Sequence, residues 1–90
     1  MKAKNYKQVK DLKDIPNVGE AVKNDLRLIG IKKPDQLINV NGIDLYNKLN
    51  RITGEVHDPC MADTFLAIVD FMNGGSPKPW WKFTNTNSIK

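Results

Sequence analysis

Apolar residues recur along this chain at spacings of three and four, the period of helices that bury one face. Tyr6, Val9 and Leu12 mark a first helix over residues 6–14, with Lys7 and Lys10 turned to water. Val18, Val22, Leu26 and Ile29, at spacings of 4, 4 and 3, mark a second, which Gly30 is placed to stop. Lys32-Lys33-Pro34-Asp35 opens a short third helix with Leu37 and Ile38 as its apolar contacts, and Asn39-Val40-Asn41-Gly42 reads as a turn. A fourth begins at Ile43, with Asp44 as N-cap and Leu45, Leu49 and Ile52 on one face, and ends at Thr53-Gly54. In the fifth, Asp58 caps and Pro59 takes the first helical position. Met61, Phe65, Ile68, Val69 and Met72 form its buried stripe, which Leu66 and Phe71 widen, before Asn73-Gly74-Gly75-Ser76-Pro77. No stretch alternates with period two for long enough to make a strand. The pattern predicts an all-α, compact five-helix domain over residues 6–83. A frayed segment, 1–5, precedes it and a polar, disordered tail, 84–90, follows.

The connection between the first two helices is the most informative stretch. Pro16 bars Ile15 from the helical region, Asn17 tolerates positive φ, and Gly19 accepts whatever dihedral remains. Val18, apolar at the tip of a polar turn, is expected to point back and pin the loop to the core. Leu37-Ile-Asn-Val40-Asn-Gly42-Ile43 echoes Leu12-Lys-Asp-Ile15-Pro-Asn17-Val18, but Asp44 stands where the first copy has Gly19. The second copy therefore reads as a degenerate structural half and not as another binding site.

Ninety residues make one domain near the lower limit of what a single core stabilises. A single cysteine excludes an intramolecular disulfide and fits a reducing compartment. The basic start lacks an apolar signal region, and no apolar run is long enough to span a membrane, so the expectation is a cytoplasmic protein without a membrane partner. The net charge of +4 is uneven: residues 1–33 hold nine basic and four acidic residues, whereas residues 34–90 hold five and six. The positive field thus belongs to the half with the loop at Asn17, as an anion-binding surface requires. A lysine-rich solvated face is the plainer reading of the same charges.

The segment from Ile15 to Ile31 resembles a helix-hairpin-helix motif, whose hairpin usually reads Gly-hydrophobic-Gly; here the triplet is Asn17-Val18-Gly19. It is similar to the C-terminal domain of the TfoX competence regulators. It is closer still to the small bacterial "pathogenicity locus" proteins of that type, in which the same opening is followed by Leu45-Tyr46, Thr53-Gly54, His57-Asp58-Pro59-Cys60 and a Trp-Trp near the end. The resemblance covers roughly residues 10 to 83 and implies a helix-hairpin-helix, SAM-like fold with a Trp-containing C-terminal tail. In such a hairpin the backbone N–H groups of the turn and of the following helix converge on one point, with the macrodipole behind them. A phosphate oxygen is the natural acceptor. The implied activity is weak, sequence-independent binding of double-stranded DNA through its backbone, accessory to some DNA-related process. Asn17, Val18, Gly19, Glu20 and Ala21 would hold phosphate, and Lys13, Lys23 and Arg27 would support them. Glu20, at a position where relatives often have Pro, would work against a phosphate, and Lys23 replaces a small residue often found there. The alternative is a protein-interaction adaptor on the same fold, with an unidentified protein partner and no nucleic acid.

His57, Asp58 and Cys60 are the one cluster with reactive character. Cys60 falls in the first turn of the fifth helix, where the dipole lowers a thiol pKa, with His57 three residues upstream. A capping Asp-Pro pair beside a buried cysteine explains the same residues without chemistry, so no enzyme activity is expected, and a thiol activity of Cys60 with His57 is the remote alternative. No further Cys or His exists to complete a Cys₂His₂ or Cys₄ zinc site, and no metal or cofactor is expected. Trp80-Trp81 reads as a lid closing the small core with at least one ring, the other reading being an exposed aromatic and basic patch.

Overall fold

The computed structural model describes residues 2–83; the expected disorder of residues 84–90 lies outside them. Three α-helices, α1 (Glu20–Leu28), α2 (Gly42–Thr53) and α3 (Pro59–Met72), are joined by 3-10 turns at Tyr6–Gln8, Leu12–Asp14, Pro34–Leu37 and Trp80–Phe83. No strand occurs among the described residues. The class is all-α and compact, but with three α-helices where the pattern predicts five.

The first discrepancy is residues 6–14. Tyr6, Val9 and Leu12 are three apart, which fits a 3-10 turn as well as an α-helix. Two caps divide the segment: Asn5 Oδ1 accepts from Lys7 N, and Asp11 accepts from Lys13 N. Asp14 Oδ2 in turn accepts from the N–H groups of Lys10 and Asp11. These backbone hydrogen bonds hold both carboxyls, Asp11 and Asp14, below the usual carboxylate range. Each turn is stopped within three residues, and only Leu12 is fully buried. Where the sequence suggests a frayed end, Ala3 N donates to Asp14 O at 2.7 Å and Lys2 reaches the loop at Val18.

Leu12, Ile15, Val18, Leu26, Ile29, Ile31, Leu37, Leu45, Leu49, Phe65, Ile68, Phe71 and Met72 form one continuous core. α3 is its axis: mostly apolar, it buries Ala62, Phe65, Ala67, Ile68, Phe71 and Met72 and packs against α2, the Pro34–Leu37 turn and the Trp80–Phe83 turn. Both of its ends follow the sequence signals. Asp58 caps Cys60 N, and Gly74, at φ 104°, lets Gly75 N donate to Asp70 O in a Schellman closure. α1 ends in the same way, with Gly30 at φ 91° and Ile31 N on Leu26 O.

α2 starts one residue earlier than expected, and its N-cap is Asn41, not Asp44: Asn41 Oδ1 accepts from the N–H groups of Ile43 and Asp44. Gly42, the first helical residue, lies on the α3 backbone, and a Cβ there would stand 2.9 Å from Leu66 Cα. Gly42→Ala therefore gains helix propensity of less than about 1 kcal/mol but must push two backbones apart. A net loss of about 2 kcal/mol is expected in urea unfolding; a neutral or stabilising effect would show that the contact yields.

Candidate nucleic-acid interface

Ile15 is fully buried, and Val18 N donates to Ile15 O at 3.1 Å, closing a four-residue turn. Pro16 presets its second position and Asn17 takes the third at φ 75°, the residue choice of a type II turn. The reversal drives Val18 into the core, where only 1% of it is exposed. Gly19 then N-caps α1 in an extended conformation, φ −101° and ψ −168°, that any residue adopts. A Cβ on Gly19 would meet nothing within 4 Å. Glycine is thus not demanded here by dihedral or by space. Its consequence is the missing side chain: Asn41 caps α2 and Asp58 caps α3, while nothing caps α1.

Among the described residues no acceptor takes the N–H groups of Gly19, Glu20 and Ala21. The Glu20 carboxylate does not close over them, because Lys13 Nζ holds it at 3.1 Å. Lys23 pairs with Asp11 at 3.3 Å, so two of the three expected cations already have acidic partners. Both pairs are partly exposed and weak, and a phosphate can compete for either lysine. Arg27, in the last turn of α1, is exposed and forms no ion pair among the described residues. The structure adds a cation that sequence reasoning missed. Lys2 Nζ donates to Lys13 O at 2.6 Å and to Val18 O, tying the chain start to the loop. Burial, and then repulsion from Lys13, lowers the Lys2 pKa against the opposing pull of Asp14. The Asn17 side chain points elsewhere. Its Nδ2 donates to Lys78 O at 2.7 Å, and its Oδ1 accepts from Trp80 N at 3.2 Å. It therefore clamps the C-terminal segment to the turn.

The loop has a second version 22 positions later, at a register different from the one the sequence echo implies: Asn39 at φ 62° answers Asn17, Val40 answers Val18, and Asn41 answers Gly19. Here every device is turned inward. Asn41 caps the helix, and Asn39 N donates to Asn73 Oδ1 at 2.9 Å. The first loop is open where the second is closed.

The family model of Cdd1, described as pathogenicity locus, matches residues 5–88. This chain belongs to that family. A mitomycin resistance protein, McrB of Streptomyces lavendulae, is 35% identical over 74 residues, covering 82% of this chain and 70% of that protein. No solved structure matches.

In this pathogenicity-locus chain the His57–Cys60 segment is built for capping. Asp58 Oδ1 accepts from Cys60 N at 2.9 Å, which lowers the Asp58 pKa. Cys60 is exposed, not buried, and its thiol pKa is raised, first by its hydrogen bond to Asp58, then by partial loss of hydration and by the Asp58 and Asp63 charges. The lowering expected from the helix dipole is thus outweighed. His57 turns toward α2: its N–H and Nδ1 lie 2.9 and 2.7 Å from Asn50 Oδ1, and its carbonyl accepts from the Tyr46 hydroxyl. No group of three metal-ligating side chains occurs among the described residues. No helix among them is long and apolar enough to cross a membrane.

Asn17→Gly preserves the positive φ and removes both clamp bonds. It is expected to cost about 1–2 kcal/mol, and faster hydrogen exchange should appear at Trp80, with the helical content unchanged. Exchange at Trp80 equal to wild type would show that the segment is held by other contacts.

Proposed function

We propose that this chain binds DNA through a helix-hairpin-helix of the kind seen in TfoX-like proteins, gripping the sugar–phosphate backbone without reading sequence, in a DNA-related process of the bacterial cytoplasm. The observation that carries this reading is the uncapped start of α1, where the amides of Gly19, Glu20 and Ala21 take no acceptor among the described residues, with Lys2 and Lys13 at the loop, Lys23 on the first turn and Arg27 farther along, in the last turn of α1. A phosphate oxygen supplies the acceptor that a capping side chain supplies in α2 and α3. Backbone donors cannot distinguish bases, so binding would be non-specific and its free energy largely electrostatic. The element before the loop is one 3-10 turn and not a full helix. The donors belong to the turn and to α1, so this shortening leaves them in place. Resistance to mitomycin, the trait named for the Streptomyces relative, is one that a protein acting at DNA could confer.

A second reading, a protein-interaction adaptor on the same fold, is favoured by one feature: Leu28, Ile52 and Val56 are large apolar side chains left at least half exposed. Fluorescence anisotropy with a labelled duplex separates the two readings. DNA binding predicts a Kd of about 10⁻⁴ to 10⁻⁶ M, weakening roughly forty-fold between about 50 and 200 mM salt if about three phosphates are neutralised. Gly19→Asp supplies the missing cap. The variant should melt at the same or a higher temperature, gaining a few tenths of a kcal/mol, yet lose at least about tenfold in DNA affinity because the carboxylate occupies and repels the phosphate position. Salt-insensitive binding, or wild-type affinity in Gly19→Asp, would remove the hairpin from the account.

A further inference from the structure

The Asn17 clamp joins two surfaces that lie more than sixty residues apart in the chain. One is the open start of α1; the other is the Trp80–Phe83 turn. Trp80 is half-buried in a turn that packs against α3, and its backbone N–H is the group that Asn17 holds. Trp81, the next residue, is 60% exposed, with its ring centroid 5.7 Å from that of Trp80 at an interplanar angle of 85°. The edge-on contact gives Trp81 a rigid support and leaves most of its surface in water. Lys82, beside it, is exposed and forms no ion pair among the described residues, whereas Lys78 is neutralised by Asp70 at 3.0 Å. A tryptophan so exposed adds little to closing a core. Fixed aromatic rings with a neighbouring cation are the means by which proteins stack on unpaired bases, since every base offers a π-face whatever its identity.

We propose that Trp81 is a base-stacking platform, which directs the protein to DNA with unpaired bases next to duplex, such as an overhang or a gap. This rests on the backbone-binding reading above: the start of α1 holds a duplex phosphate while Trp81 receives the first unstacked base, and Asn17 fixes the spacing between them. A fully paired duplex offers only its phosphates. The preferred substrate class is therefore a single-strand/double-strand junction, without base specificity.

The test compares anisotropy titrations of a blunt duplex and of the same duplex carrying a short oligothymidine overhang, for wild type, Trp81→Ala and Trp81→Phe. The wild type is expected to favour the overhang by about tenfold and to show quenched tryptophan emission with it. Trp81→Ala should lose that preference while binding blunt duplex as the wild type does, which also verifies its fold. Trp81→Phe, which still stacks, should retain most of it. Equal affinity of the wild type for both DNAs would overturn the proposal and leave backbone binding intact. So would a preference that survives in Trp81→Ala. Binding of neither DNA would overturn both, and would return Trp81 to a contact with protein.

Discussion

The left-handed conformation of Asn17 is the constraint on which the end of the molecule around α1 depends. At φ 75° the chain reverses within one residue, so that Val18 enters the core while the next residues start a helix pointing away. A β-branched or bulky residue would resist that conformation, whereas Asn accepts it with a modest penalty. Its amide side chain, freed from any capping duty, then holds Lys78 O and Trp80 N. One residue thus sets the direction of α1, the depth of Val18 and the position of the C-terminal turn.

Comparison of the two loops isolates what is particular about the first. Both place an Asn at positive φ, then a valine, then a helix. Each is preceded by a 3-10 turn in which the third residue, Asp14 or Gln36, reaches back to backbone N–H groups. The difference that matters lies at one position, Gly19 against Asn41. In the second loop the asparagine satisfies the helix amides and its neighbour Gly42 lies against α3, so that end of the molecule is spent on packing. In the first, a residue without a side chain leaves the amides open, and no steric demand in the fold explains the choice. Folding alone would be served at least as well by Asp or Ser at position 19.

What could be read from the sequence was whatever rests on neighbours. Pro16-Asn17-Val18, the Asp58-Pro59 start of α3 and the stops at Gly30, Gly54 and Gly74 all act within a few residues, and the structure places each where the pattern does. The N-terminal segment differs from the pattern because a spacing of three serves 3-10 and α equally, and Asp11 caps a new turn inside the span of the expected helix. Asp44 lost the N-cap to Asn41 because Gly42, inside the helix, is fixed by its contact with Leu66 across the core. Ile38 and Ile52, expected in the core, are 40% and 50% exposed: Leu37 already fills the space under the short turn, and Leu45 and Leu49 bury the α2 face. The hidden part of the site is non-local. The Lys2 contact with Val18 spans 16 residues and the Asn17 clamp more than sixty, and neither follows any periodicity. The Cys60 thiol shows a related limit: its helix position was legible, but the Asp58 hydrogen bond that reverses the dipole's effect was not.

The amides at the start of α1 lack the side-chain cap that the other two helices have. Amide chemical-shift mapping by NMR, with a short duplex added at low salt and the titration repeated at high salt, reads those groups directly. The predicted result is that the largest shifts fall on Gly19, Glu20 and Ala21, move downfield as the N–H groups gain an acceptor, and fade as salt is raised. Shifts confined to other helices, or none at Gly19–Ala21 while DNA is bound, would contradict it.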